Sequence, residues 1–220
     1  MCCRWDVSEV NEPVLVGLNV PGTPASWEAL GFALRGGKFR VGGVTITVGQ
    51  ALTAWSFDHP RSAPDQIASV PTTSFCEAGP GAAVAVHANR VGKIDHVVVA
   101  SNDPSATKAE LESAGFRAKG ERVIGAAQAP KSQCFFWSGE LLIELVGPAD
   151  AGSARQSSAY IWGVTFVVDD FGPLTRIAGA LLSDSRAAIQ PGRRIITVSA
   201  AAQIGLELAF MTPHVRRSLG

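Results

Sequence analysis

Two acidic residues stand inside strongly apolar stretches of this sequence. Glu144 lies within Leu142-Ile-Glu-Leu-Val-Gly-Pro148, and Glu207 lies within Leu206-Glu-Leu-Ala-Phe-Met-Thr-Pro213. Alternate side chains of a strand face opposite sides, so each carboxylate shares its face with apolar or small neighbours. Because an unpaired carboxylate is costly there, each must meet a metal ion, a cation, hydrogen-bond donors or open solvent. The arginines that could neutralise them are Arg122, Arg193 and Arg194.

His96 is the third residue whose type and place could do chemistry. It lies in the run Lys93-Ile-Asp-His-Val-Val-Val-Ala-Ser-Asn-Asp103, which reads as a buried strand. A lone histidine in an apolar strand is more often a core residue than a ligand. Strict alternation places Asp95 on the opposite face, so we expect no contact between its carboxylate and the imidazole. The other histidines, His59, His87 and His214, have no ligand spacing and are predicted to lie on the surface.

The segment around His96 is repeated further along the chain. Tyr160-Ile-Trp-Gly-Val-Thr-Phe-Val-Val-Asp-Asp170 aligns with it at an offset of 163 − 96 = 67, and the two glutamates align at 207 − 144 = 63. In the first copy, Asp103 and Pro104 form a helix start, and Gly115 is a helix stop. Strands and a hairpin follow in both copies. The sequence therefore predicts an α+β fold with two βαβββ modules, at residues 93–150 and 159–213.

The rest of the chain matches this pattern less well. Residues 1–57 resemble a degenerate βαββ version of the module, in which Val16 replaces the histidine and Trp55 falls near the glutamate position. Residues 58–92 are rich in Pro, Ser, Ala and Gly, which is typical of a linker or a long crossover. We therefore expect the amino-terminal segment to serve structure rather than chemistry.

Composition limits the classes of partner. Nineteen basic and nineteen acidic side chains give a formal net charge of zero, so no basic surface points to nucleic acid. No apolar run is long enough to span a bilayer, and the first residues lack the pattern of a secretion signal. The four cysteines show no CxxC spacing and are read as reduced thiols. These features predict a cytoplasmic protein without a membrane or nucleic-acid partner.

Tandem modules that open with Ile94-Asp-His-Val-Val-Val99 and close with Leu141-Leu-Ile-Glu-Leu-Val-Gly-Pro148 resemble the vicinal oxygen chelate superfamily. Glyoxalase I, extradiol dioxygenases, methylmalonyl-CoA epimerase and bleomycin resistance proteins belong to it. The resemblance implies curled mixed sheets around a cleft, with a divalent metal held by the first and last strands of each module. Carried over by position, it implies His96, Glu144 and Glu207 as metal ligands, whereas Gly163 has no side chain for the fourth place.

Two functions follow as expectations. One is a glyoxalase-type lyase or isomerase that uses Fe, Mn, Ni, Co or Zn, with Glu207 as the catalytic base. The other is a metal-free protein that binds a small molecule in the same cleft without catalysis. Three aromatic residues could line the cleft, although the core is the commoner place for them: Trp137, Tyr160 and Trp162. Because two modules close one cleft, the amino-terminal segment lacks an obvious partner, which predicts a homodimer.

Overall fold

A computed structural model describes residues 12–49, 53–58, 65–74, 86–150 and 157–214. Within these ranges the chain forms two sheets. The amino-terminal sheet has six strands, in the order β2-β3-β1-β4-β6-β5. Its strands and the short helix α1 are β1 (Val14–Val20), α1 (Pro24–Glu28), β2 (Lys38–Val41), β3 (Val44–Val48), β4 (Ala54–Asp58), β5 (Gln66–Ile67) and β6 (Val70–Ser74).

The carboxy-terminal sheet has eight strands, in the order β12-β13-β14-β11-β7-β10-β9-β8. Its first half comprises β7 (Val91–Ser101), α2 (Pro104–Ser113), β8 (Ala118–Ile124), β9 (Lys131–Ser138) and β10 (Leu141–Pro148). Its second half comprises β11 (Ala159–Val168), α3 (Gly172–Ala178), β12 (Arg186–Ala187), β13 (Arg194–Thr197) and β14 (Glu207–Met211), with short 3-10 turns at Gly179–Leu181 and Ala200–Ala202. The two predicted βαβββ modules are therefore confirmed as the halves of one sheet.

Local sequence explains how the first module turns from strand to helix. The Asp103 carboxylate accepts a hydrogen bond from the Ala106 N–H at 3.0 Å, and Pro104 occupies the first turn, where no backbone donor is needed. Gly115 follows the helix at a φ of +98°, a left-handed conformation that favours glycine. The helix α2 thus begins and ends where the sequence predicts.

Both sheets are built in the same way around a central antiparallel pair of strands. β1 pairs with β4 in the amino-terminal sheet, and β7 pairs with β11 in the carboxy-terminal sheet. Each of these four strands has a parallel neighbour that arrives later in the chain, namely β3, β6, β10 and β14. Residues 58–92, interpreted from sequence as a linker or crossover, contain β5 and β6, so the amino-terminal sheet extends into that range.

The core lies where the amino-terminal sheet packs on the carboxy-terminal sheet. The Phe32 and Phe166 rings are 5.1 Å apart, and the Phe57 and Phe116 rings are 5.2 Å apart. Ser138 joins the two sheets through two hydrogen bonds, because its hydroxyl accepts from the Leu15 N–H at 2.8 Å and donates to the Pro13 carbonyl at 2.8 Å. The amino-terminal segment therefore packs against the carboxy-terminal sheet of the same chain. A missing packing partner is thus no longer an argument for a homodimer. The homodimer stays a prediction.

Candidate functional site

One face of the carboxy-terminal sheet is left open by this packing, and the predicted site residues lie on it. Along β10 the odd-numbered residues Leu141, Ile143 and Leu145 are buried in the core, whereas Glu144 faces the other side. Strand register places Glu144 beside Val98, Val98 beside Gly163, and Gly163 beside Glu207. The two glutamates therefore lie at opposite ends of one row that crosses four strands.

The open face forms a cleft of about 350 Å³. That volume is at the lower end of the range for pockets that bind small organic molecules. His96 lies on β7 two residues before Val98, so it is on the same face as the row that joins the two glutamates. Side chains that line the cleft include His96, Val98, Phe135, Glu144, Trp162 and Glu207. The three residues that the sequence singles out thus share one cleft.

A β-bulge changes the relation between Asp95 and His96. Thr165 of β11 pairs with His96 while the next residue, Phe166, pairs with Ile94, so Asp95 is an extra residue without a cross-strand partner. The alternation of side chains breaks at this point. Asp95 Oδ2 lies 2.8 Å from His96 Nδ1. The expectation that Asp95 points away from the imidazole is therefore wrong, because it assumes an unbroken strand.

Asp95 is held as an ionised acceptor. Arg193 Nη2 donates to Asp95 Oδ1 at 2.6 Å, and the Arg193 side chain is only 1% exposed. Burial by itself would raise the pKa of the Asp95 carboxyl. The hydrogen bonds and positive charges of His96 and Arg193 outweigh burial and hold that pKa well below its usual range. Arg193 also donates to the Thr212 carbonyl at 2.7 Å, which anchors the guanidinium from a second side.

The charge of Asp95 fixes the orientation of the histidine ring. An ionised carboxylate can only accept a hydrogen bond, so Nδ1 of His96 must carry the proton that it donates. The other ring nitrogen, Nε2, then faces the cleft and lies 3.6 Å from Glu144 Oε2. That separation is longer than a hydrogen bond. His96 therefore presents Nε2, beside a carboxylate, to whatever enters the cleft.

Glu144 is held by an amide rather than by an arginine. Gln133 donates to Glu144 Oε1, and Gln133 in turn accepts a hydrogen bond from Nε of Arg122. The guanidinium of Arg122 lies over the Phe135 ring at 5.4 Å. Within the described part of the chain, Glu144 forms no ion pair with an arginine. The alternative in which Arg122, Arg193 or Arg194 neutralises it directly is not what the structure shows.

The two modules can be superposed through their bulges. Trp162 is the bulged residue of β11, and Asp95 is the bulged residue of β7. Val97 and Val164 pair with each other across these strands and form the central pair. Each bulged residue lies two positions before the member of this pair on its own strand. This symmetry agrees with the offset of 67 that aligns His96 with Gly163. The modules therefore share the same irregularity as well as the same order of strands.

The closing strands align differently from the sequence comparison. Glu144 lies opposite Val98, one residue beyond the central pair, and the corresponding residue of the second module is Ala209. Glu207 lies two residues earlier, opposite Gly163. Glu207 is exposed, and its carboxylate forms no ion pair with any of the described residues. The second module thus has alanine at the position of Glu144.

Gly163 also has a structural role, because it lies where β11 and β14 come very close together. A Cβ added there would lie 2.7 Å from the backbone oxygen of Glu207 and 3.1 Å from its Cβ. Such contacts are closer than packed atoms tolerate, so β11 and β14 approach each other in a way that only glycine permits. A fourth ligand could not be restored at this position without moving a strand.

The cleft meets only part of the requirement for a metal centre. Two ligand atoms that are each about 2.1 Å from one ion at a near-tetrahedral angle lie roughly 3.4 Å apart, close to the His96–Glu144 separation. A carboxylate that accepts from the remote ring nitrogen, as Asp95 does, is the usual support for a metal-bound histidine. However, no group of three or more His, Cys, Asp or Glu side chains in the described ranges is arranged to hold a metal ion. The arrangement therefore fits two adjacent ligands but not a three-ligand centre.

Other sequence predictions have mixed outcomes. His87 is buried rather than on the surface: Nδ1 accepts from the Ala33 N–H at 3.1 Å, and Nε2 lies 2.9 Å from the Arg40 carbonyl oxygen. His214 is exposed, as expected, and contacts Arg193 at 3.1 Å. His59 lies outside the described residues.

The three aromatic residues that were expected in the core are instead exposed. Trp137, Tyr160 and Trp162 have 43%, 57% and 45% of their surface accessible. Trp162 lines the cleft because the bulge turns it out of the strand. Trp162 is therefore the one of these three aromatic residues that lines the cleft.

Sequence reasoning missed most of the residues that position the site. Asp95, Gln133 and Arg193 each contact a predicted site residue or its partner. Gln133 could have been found, since the hairpin at Ser138 and Gly139 places it near Glu144 on one face. The contacts of Asp95 depend on the bulge, for which the sequence carries no local signal such as glycine.

Comparisons with known proteins agree on the fold. No family model and no curated protein sequence matches the chain. A triple mutant of 4-hydroxymandelate synthase from Streptomyces coelicolor is similar over 94% of this chain and 87% of its own, at 13% identity and a TM-score of 0.54. A xylose isomerase-like TIM barrel/4-hydroxyphenylpyruvate dioxygenase fusion protein is similar over 95% of this chain and 50% of its own, at 11% identity and a TM-score of 0.57.

A methylmalonyl-CoA epimerase from Mycobacterium tuberculosis matches 58% of this chain and 92% of its own, at 18% identity and a TM-score of 0.44. The two longer structural matches extend over both sheets, and they confirm that the chain has the fold of the vicinal oxygen chelate superfamily.

Across the part of the chain that the structure describes, no helix is long and apolar enough to cross a membrane.

Proposed function

We propose that the protein binds a small organic molecule in the cleft of the carboxy-terminal sheet, and that His96 and Glu144 are the polar groups that meet it. The observation that carries this proposal is the fixed imidazole. Asp95 holds Nδ1 at 2.8 Å while Nε2 faces a cleft of about 350 Å³. A histidine that only filled the core would not present a ring nitrogen to an open cavity.

The geometry also supports proton transfer. In the neutral ring Nε2 carries a lone pair, and the negative charge of Asp95 stabilises the imidazolium that forms when Nε2 takes a proton. Arg193 keeps Asp95 ionised and in place. A ligand with an acidic C–H or O–H beside Nε2 would therefore meet a general base, with Glu144 close enough to accept a hydrogen bond from the same ligand.

A second candidate function is a divalent-metal-dependent lyase or isomerase. The Asp95–His96 contact favours it, because carboxylates commonly orient metal-bound histidines. In that case His96, Glu144 and Glu207 would hold Fe, Mn, Ni, Co or Zn, and Glu207 would also serve as the base. Because Glu207 does not join the other two in the present arrangement, this candidate requires the cleft to close around the ion.

Ligand binding can be tested by a thermal-shift screen of small molecules against the parent chain and Ala209→Phe. Ala209 is a small, half-buried residue of the cleft, so a phenyl group there fills the space. A ligand at one hundred times its Kd should stabilise the parent by about 2.7 kcal/mol and raise Tm by roughly 5 to 10 °C. Ala126→Phe, in an exposed loop, is the matched control and should respond like the parent.

Compounds that stabilise Ala209→Phe as much as the parent would show that the cleft is not the site. The metal candidate is tested separately, by mass spectrometry of metal retained after desalting. It predicts near-stoichiometric metal in the parent and a loss in both His96→Ala and Glu207→Ala. Loss in His96→Ala with full retention in Glu207→Ala would exclude Glu207 as a ligand.

A further inference from the structure

The rims of the cleft carry two arginines whose charge nothing in the described structure neutralises. Arg122 comes from β8 and Arg186 from β12, the two outermost strands of the carboxy-terminal sheet, and both line the cleft. These strands occupy equivalent places in the two modules. Among the described residues, neither arginine forms an ion pair.

Arg122 is the better prepared of the two to bind a ligand. Its Nε donates to Gln133, and its guanidinium lies over the Phe135 ring at 5.4 Å. These two contacts fix the plane of the guanidinium. They use one of its nitrogens, and no described residue accepts a hydrogen bond from the two terminal nitrogens, Nη1 and Nη2. A fixed fork of donors is the arrangement that binds carboxylate, phosphate or sulfonate oxygens in a bidentate manner.

Carboxylates of the cleft do not compete for this position. Gln133 stands between Arg122 and Glu144, because its amide nitrogen donates to Glu144 and its amide oxygen accepts from Arg122. Glu207 lies at the far end of the row that Glu144 begins, three strands away, which corresponds to roughly 14 Å along the sheet. The side chains between the rims are largely apolar, including Val98, Phe135 and Trp162.

We infer that the ligand of the cleft is a small organic anion with an apolar body, whose anionic oxygens pair with the terminal nitrogens of Arg122. This inference rests on the proposed function, since it assigns the chemical class of the ligand for that site. Phe135 lies beneath the guanidinium, so an aromatic or aliphatic body that extends from the anionic group towards His96 would cover apolar surface. Arg186 supplies a second positive charge at the opposite rim.

The test uses two fluorescent probes of similar shape and different charge. 8-Anilino-1-naphthalenesulfonate is an aromatic anion, and N-phenyl-1-naphthylamine is its neutral counterpart. Both are titrated into the full chain and into Arg122→Gln, with Arg117→Gln as the matched control because Arg117 is exposed and does not line the cleft. Ala209→Phe, which fills the cleft, tests whether the probes occupy it.

The expected result is that Arg122→Gln raises the Kd of the anionic probe roughly tenfold, as the loss of one charge-assisted contact does. The Kd of the neutral probe stays within about twofold, which also shows that the variant is folded. Arg117→Gln changes neither Kd. Arg122→Lys recovers only part of the loss, because an ammonium lacks the fork.

Three results would overturn the inference. If Arg122→Gln weakens both probes equally, the arginine shapes the cleft without selecting charge. If it weakens neither, the anion does not contact it. If the parent binds neither probe, or if Ala209→Phe binds both as well as the parent does, no probe occupies the cleft, and the proposed function fails with the inference.

Discussion

Replacing Asp95 with asparagine tests the network behind His96. The substitution keeps the shape of the side chain but removes the charge that pairs with Arg193 at 2.6 Å. The Arg193 side chain is 1% exposed and the Asp95 side chain is 12% exposed, so a buried cation loses its anion. Breaking a buried pair in this way costs about 3 kcal/mol. His96 and Arg193 each contact a different carboxylate oxygen, and in asparagine one of these two acceptors is replaced by an NH2 group, which cannot accept a hydrogen bond.

Urea unfolding monitored by circular dichroism measures this loss. With an m-value of about 3 kcal/mol/M, the midpoint of Asp95→Asn should fall by about 1 M. Asp169→Asn is the matched control, since Asp169 is exposed, and its midpoint should change by less than about 0.2 M. Equal midpoints for the two variants would refute the assignment of Asp95 as the anion that holds Arg193 and His96.

The effect of Asp95 should also depend on pH in one direction. The pKa of its carboxyl lies well below the ordinary 3.8 in the folded chain, so folding favours the ionised form. That contribution to the free energy of unfolding is complete above the ordinary value and is lost progressively as pH falls below it. The difference between the parent and Asp95→Asn should therefore persist at pH 5 and shrink below about pH 4. A difference that grows on acidification would contradict this reasoning.

Three further predictions concern the scaffold. Burial lowers the pKa of His87, although its hydrogen bond to the Arg40 carbonyl raises it. Because the net effect is a lowering, the free energy of unfolding should fall as pH drops below the ordinary pKa of 6.5. In urea titrations from pH 7.5 to 5, His87→Phe should reduce this dependence of the free energy of unfolding on pH. Gly163→Ala should destabilise the chain by about 1 to 3 kcal/mol, because its Cβ would lie 2.7 Å from a backbone oxygen. Gly43→Ala, with nothing within 4 Å of the added Cβ, is the control, and equal unfolding midpoints for the two would contradict the close approach of the strands. Ser138→Ala should cost about 1 to 3 kcal/mol by calorimetry, since it leaves a buried N–H without an acceptor between the sheets; an unchanged Tm would argue against the docking of the two sheets.

The fold was predictable because its signals are local and repeated. Asp103, Pro104 and Gly115 mark the ends of α2, and the apolar runs before and after it mark β7 and β10. Two copies of that order are enough to predict paired βαβββ modules. The six-stranded amino-terminal sheet was less accessible, since β5 is only two residues long and its neighbours lie in a stretch rich in proline and glycine.

The site was predictable only as far as strands stay regular. The resemblance groups His96, Glu144 and Glu207 in one cleft, and all three line the open face. Alternation of side chains fails at Asp95, because a bulge depends on how two strands fit together and not on the residue itself. The sequence repeat fails for the equivalence of Glu144 and Glu207, since cross-strand register is a property of the assembled sheet. Burial of His87 could not be foreseen, because its partners Ala33 and Arg40 are distant in sequence.

Ligand binding in the cleft is best tested by an amide NMR titration of the full chain with N-phenyl-1-naphthylamine, a neutral probe that needs no arginine. The largest shifts should cluster around the cleft, at His96, Val98, Gly163 and Thr165, and they should disappear in Ala209→Phe. Shifts that cluster instead around Gly205 or in the amino-terminal sheet, or that survive in Ala209→Phe, would contradict the assignment of this cleft as the ligand site.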